Sequence, residues 1–127
     1  IEAFRRGGGA GKPMYLQALH SYAPDRETAL QEAWREWRTN LFGNDIQSDL
    51  KTPSHFEAVA SLVRPEDMAK GARVSAKIED HIQWLKEDIE LGFDHIFVHN
   101  AAADQVGFIR MFAREVLPVL KSERELS

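Results

Sequence analysis

Two sets of residues have types and spacing that chemistry uses. The first is GGGAGK, Gly7 to Lys12, with glycines leading to a lysine as in a loop that cradles phosphate. A P-loop needs Gly, four residues, then Gly-Lys-Ser/Thr. Counted back from Gly11-Lys12, the first glycine position holds Arg6, and Pro13 stands where a hydroxyl would reach magnesium. The dinucleotide pattern G-x-G-x-x-G fails as well, because Gly7 and Gly9 would need glycine where Lys12 stands. A P-loop leaves a strand and opens a helix, and this segment does the reverse. It reads as a helix C-cap and a flexible connection, with Pro13 stopping helical continuation.

The second set is the histidines. His95 and His99 are four positions apart, a zinc-chelating spacing on a helix. In a strand they share a face but lie about 13 Å apart at roughly 3.3 Å per residue. With His20, His55 and His81 scattered and no cysteine, no metal site is expected. Nor does the sequence show a Ser-His-Asp set, which geometry rather than order defines.

The bulk properties narrow the classes further. The chain has 127 residues, 43% hydrophobic and 28% charged, with a formal charge of −4. That fits one soluble domain and argues against a nucleic-acid surface, which is normally basic. No apolar run approaches a membrane span, and IEAFRRGG has no signal-peptide core. A cytoplasmic protein with neither nucleic-acid nor membrane partners is expected. The opening residue is Ile and IEAFRR reads as the last turns of a helix, so the chain is expected to be a piece of something longer.

The elements that would position chemistry follow from periodicity. Met14 to Tyr22 alternates with apolar residues on both faces, as in a strand of a parallel sheet covered on two sides. Asp25 is an N-cap for a helix with the stripe Leu30, Ala33, Trp34, Trp37 and Leu41. FGNDIQSDLKTP reads as a polar loop. Thr52-Pro53 supplies N-cap and N1 of a helix to about Leu62, and RPED starts a helical turn ending near Gly71. ARVSA suits a short strand. Ile78, Ile82, Leu85 and Ile89 mark a helix closed by Gly92, and FDHIFVHN a strand. Asp104 caps a last helix with the stripe Ile109, Phe112, Val116 and Leu120, which Pro118 ends or bends. The closing KSERELS reads as a solvated, frayed end. Strand and helix alternate as in a parallel α/β sheet. Two main strands make a poor free-standing sheet, with long edges to cover. The expected architecture is therefore α/β, the C-terminal portion of a (β/α)8 TIM barrel with a helical insertion. A whole barrel needs roughly 250 residues.

Three stretches, GKPMYLQALHSYAPDRETALQEAWREWRTN, TPSHFEAVASLVRPEDMAKGARVSA and GFDHIFVHNAAADQVGFIRMFAREVLPVL, resemble the C-terminal part of the luciferase-like oxidoreductases. The group is similar to the one holding the deazaflavin-dependent glucose-6-phosphate dehydrogenases. HIQWL, GFD, HN, then Q, F and VLP resemble its flavin-oxidoreductase subgroup. The most specific combination is Gly92-Phe93-Asp94, His99, Asp104-Gln105, Phe108 and Val116-Leu117-Pro118.

The resemblance implies a TIM barrel that binds FMN or coenzyme F420 at the C-terminal ends of its strands and transfers hydride to or from a small-molecule substrate. Whether oxygen takes part, as in a monooxygenase, is left open. The chain would supply the last two barrel strands, with Thr52–Met68 as part of a lid. The family's proton-transfer groups lie in the N-terminal half, so no catalytic residue is assigned and the chain alone is expected to be inactive. Trp37, Asn40 and Leu41 border the cofactor in relatives. His99 and Asn100 sit at the strand end where substrate would lie. Gln17 and Ser21 would line the lumen. The sugar-phosphate dehydrogenases hold phosphate with a lysine and an arginine that align near Gln47 and Gly71, so glucose 6-phosphate fits poorly unless Lys51 or Arg73 substitutes. Open edges lead to an expected homo-oligomer. The alternative is a non-catalytic α/β module that binds a partner or self-associates.

Overall fold

The computed structural model describes residues 1–126, with side chains as far as Ser122. A short helix α1 (Glu2–Phe4) runs into a widened π turn at Arg5–Gly9. Gly8 (φ +100°) and Gly11 (φ +74°) then take left-handed conformations that turn the chain toward the sheet. The glycine run is thus a helix end and a connection, as its sequence indicates.

Three parallel strands form the sheet: β1 (Tyr15–Tyr22), β2 (Arg73–Ser75) and β3 (His95–Asn100), in the order β2-β1-β3. β1 and β3 pair along six residues, from Tyr15↔His95 to His20↔Asn100. β2 pairs only with the C-terminal end of β1, from His20↔Arg73 to Tyr22↔Ser75. The backbone N–H of Met14 donates to Asp94 Oδ2 at 2.7 Å and sets the start of the β1–β3 ladder.

Between β1 and β2 run α2 (Arg26–Trp37), α3 (Asn44–Asp49) and α4 (Pro53–Ala60), with 3-10 turns at Arg38–Asn40 and Pro65–Lys70. Asp25 caps α2 by accepting from the Thr28 N–H at 2.8 Å. Helix α3 lies in the stretch expected to be a polar loop. It is too short for periodicity to reveal and is held by side-chain bonds to backbone carbonyls, from Gln47 to Phe42 and from Ser48 to Asn44. α5 (Ile78–Glu90) links β2 to β3, and α6 (Gln105–Met111) follows β3 with Asp104 bonded to the Gly107 N–H at 2.9 Å.

Pro118 does not end the last helix. A π turn at Phe112–Val116 precedes it and α7 (Leu117–Leu126) continues beyond. The looser turn accommodates the N–H that proline lacks. The buried stripe differs too, with Phe108 in place of Ile109, which is 63% exposed. KSERELS lies on α7 as far as Leu126. The expectation of a frayed end falls on Ser127 and on side chains from Glu123 onward, outside the described residues.

Two apolar clusters hold these layers. One gathers Leu30, Ala33, Met68, Ala72, Val74 and Ala101, with Leu19, Trp34, Trp37 and Leu41 against it. The other gathers Leu85, Phe108, Met111, Phe112 and Val116, with Tyr22, Ile96 and Val98 of the sheet. Within the strands, Leu16, Ala18, His20, Ile96 and Val98 alternate with Tyr15, Gln17, Leu19, Phe97 and His99, so β1 and β3 present two distinct faces. The second face is open along its N-terminal part: Tyr15 is 58% and Phe97 61% exposed.

Candidate active site

The open sheet face carries a small polar and aromatic cluster. Tyr15 stacks on His95 with ring centroids 4.8 Å apart. Farther along the strands, Gln17 Nε2 lies 3.2 Å from His99 Nδ1. The Trp37 ring stands edge-on to His99, centroids 4.6 Å apart and planes at 86°. Trp37 is brought there because α2 ends at that residue and its indole packs with the α2 core cluster. The strands thus unite Trp37 and His99, 62 residues apart by their numbers, and add Gln17.

The other expected site residues do different work. Asn40 is exposed at the end of the 3-10 turn. Leu41 packs against Gly71 so closely that a Cβ there would overlap it. Asn100 is buried at 3% exposure with its amide turned into the loop after β3. Its Nδ2 donates to the carbonyls of Ala102 and Asp104, and its Oδ1 accepts from the Ala102 N–H. Ser21 is fully buried, donating to the Ala29 carbonyl at 2.8 Å, so it ties β1 to α2 rather than lining an open lumen.

The cations considered for a phosphate are also placed. Arg73 forms a two-pronged pair with Asp88 of α5, at 2.5 and 2.7 Å. Those hydrogen bonds raise the Arg73 pKa and fix its fork against α5. Lys51 Nζ donates to the Ser48 carbonyl at 3.2 Å on the exposed surface. Gln47 is tied to Phe42 and Gly71 has no side chain to offer.

On the opposite face lies a buried histidine pair. His20 Nδ1 and His81 Nδ1 are 2.8 Å apart, and His81 Nε2 is 3.0 Å from the Ser75 carbonyl. A carbonyl only accepts, so His81 carries its proton on Nε2 and accepts at Nδ1, and His20 donates from Nδ1. His20 Nε2 is then a bare acceptor, buried without a partner. Burial, first, and then His81 and Arg73 push the His20 pKa down to about 3. Burial also lowers that of His81, against the Ser75 hydrogen bond and Asp80. Among the described residues no three His, Cys, Asp or Glu side chains group as metal ligands, and no helix is long and apolar enough to cross a membrane.

Parallel strands joined through helices, with polar and aromatic side chains gathered on one sheet face, are the layout of a segment of a (β/α)8 barrel. Comparison with known proteins makes this specific. The chain is 32% identical to the F420-dependent glucose-6-phosphate dehydrogenase of Beutenbergia cavernae over 115 residues, 90% of this chain and 34% of that protein. It is 30% identical to the Microbacterium testaceum protein of the same name, over 84% of this chain and 31% of that one. In structure it resembles an F420-dependent secondary alcohol dehydrogenase solved with an F420–acetone adduct: TM-score 0.70, 23% identity, 92% of this chain and 36% of that one. No family model matches. The chain spans about a third of the length of the curated relatives it matches, and over that third it is homologous to the luciferase-like oxidoreductases.

Proposed function

We propose that this chain forms the C-terminal third of a deazaflavin-dependent oxidoreductase, with β1 and β3 as neighbouring strands of its barrel. The observation that carries the reading is the Gln17–His99–Trp37 cluster on the open sheet face, in a chain whose matched relatives bear F420-dependent names. Barrel enzymes place their chemistry at the C-terminal ends of the strands, and His99 lies one residue before the end of β3. A flat conjugated ring suits this wall, where an indole edge, an imidazole and exposed Tyr15 and Phe97 supply apolar and aromatic contact. When bound, coenzyme F420 gives or accepts a hydride at its ring. Trp37 would border that ring, and His99 would meet a small substrate at the strand end. Relatives named for F420 favour the deazaflavin over FMN.

The substrate differs from glucose 6-phosphate on this reading. The positions expected to hold phosphate offer Gln47 and Gly71, and Arg73 is bound to Asp88. A dianion left without dedicated cationic donors would bind poorly. The test is titration of the chain, joined to the missing part of a barrel, with F420 and with FMN, followed by fluorescence. Stoichiometric binding of F420 alone supports the proposal. Tight binding of FMN alone would reverse the cofactor choice.

A second reading, a self-associating α/β module, draws on the exposed Tyr15 and Phe97 and on the outer edge of β3, unpaired among the described residues. Catalysis by the long form and none by a dimeric short form would separate the two.

A further inference from the structure

We infer that Gln17 is a positioning residue for His99, holding its imidazole as the Nε2–H tautomer so that the open sheet face offers a neutral hydrogen-bond donor to a substrate oxygen. The inference rests on the proposed oxidoreductase site for the role of that donor, but not for the tautomer itself. Gln17 and His99 lie on adjacent parallel strands, on the same face, two residues off direct register (Gln17↔Phe97, Leu19↔His99). The contact at 3.2 Å joins the Gln17 amide nitrogen to His99 Nδ1. An amide NH2 group only donates, so Nδ1 must present its lone pair. A neutral imidazole then carries its one proton on Nε2. The edge-on Trp37 ring, at 86° to the imidazole, restricts the ring plane.

Nε2 is the free end of this arrangement. Among the described residues no hydrogen bond engages His99 Nε2, and His99 is only half-buried beside the exposed Gln17. The chemical consequence is selective. With its lone pair held by Gln17, neutral His99 donates to a carbonyl, hydroxyl or carboxylate oxygen. It has no second lone pair with which to take a proton from substrate. His99 would thus bind and orient, and proton transfer would fall to other groups.

The test is a long-range 1H–15N correlation spectrum of the uniformly labelled 127-residue chain at pH 8, recorded without cofactor or substrate. The expected pattern for His99 is a protonated, pyrrole-like Nε2 and an unprotonated, pyridine-like Nδ1. In Gln17→Glu the partner is a carboxylate, which only accepts, so the proton moves to Nδ1 and the pattern inverts. A protonated Nδ1 in the parent chain, or the same pattern in Gln17→Glu, would overturn the inference. Should Gln17→Glu fail to fold, Gln17→Leu serves instead: the single tautomer relaxes to a mixture, and an unchanged spectrum counts against Gln17. Because no turnover is read, a wrong tautomer leaves the oxidoreductase proposal standing, and an inactive long form leaves the tautomer standing.

Discussion

The buried pair of His20 and His81 makes the molecule sensitive to acid. In the unfolded chain a histidine takes a proton near pH 6.5. In the folded chain His20 resists protonation until about pH 3, chiefly because burial disfavours its charged form. Between those values the unfolded state binds more protons, so stability is intact above pH 6.5 and is lost as pH falls toward 3. One such site contributes at most about 1.4 kcal/mol per pH unit. Urea midpoints measured at pH 7, 5 and 4 should fall in that order, and the part due to this site should vanish in His20→Phe. Equal midpoints in the parent chain would contradict the account. None of this pairing is visible in sequence, because His20 and His81 lie 61 residues apart and meet across two layers. The place of His99, one residue before the end of β3, was legible because that strand is rich in β-formers. Asn100 was legible as a strand end but not as a loop organiser, since its hydrogen bonds depend on how residues 101–104 turn back.

Helix termini and strands were the most legible elements. Asp25 and Asp104 accept backbone N–H groups at the positions their residue types suggest. Asp104→Ala should cost about 1 kcal/mol, read as a shift in the denaturation midpoint. What escaped the sequence was phase. Phe108, Phe112, Val116 and Leu120 recur at four-residue spacing through the π turn and carry the packing, while Ile109 points outward. Phe112 packs on Phe108, centroids 4.5 Å apart, and meets His20 edge-on at 5.9 Å. Phe112→Ala should therefore destabilise by about 3–5 kcal/mol, seen as a loss of several degrees or more in Tm. The Arg73–Asp88 pair ties α5 to β2 with Asp88 only 4% exposed. Removing the acid in Asp88→Ala strands a partly buried guanidinium and should cost about 2–3 kcal/mol, tempered by the solvent that reaches Arg73. Restored stability in the double variant Arg73→Met/Asp88→Leu would identify the stranded charge as the cause.

At the scale of the molecule, the sheet has one covered face and one that is open along its N-terminal part. The alternation in Met14–Tyr22 was readable, but which face would lack cover was not, because cover comes from elements far away in sequence. Tyr15 and Phe97 are exposed, and the outer edge of β3 is unpaired among the described residues; surfaces of this kind tend to pair. The 127-residue chain should show a light-scattering mass that rises with concentration, and Tyr15→Lys/Phe97→Lys should return it to the monomer value. A monomer mass at high concentration in the parent chain would remove the association claim. A groove of about 680 Å3 between α5 and α7, lined by Leu85, Ile89, Phe112, Leu117 and Leu120, is a second apolar opening.

The long ladder of the sheet joins ends of the chain that synthesis delivers far apart in time. Met14 meets Asp94 across 80 positions, and the pairing of β1 with β3 begins beside that contact. Closing so wide a loop has an entropic cost before any ladder hydrogen bond offsets it. On a ribosome, β1 would emerge and wait with the edge that meets β3 unmatched until some 80 further residues are made. Helices α2 and α5 would be the early structure, and the sheet would be the last thing to set.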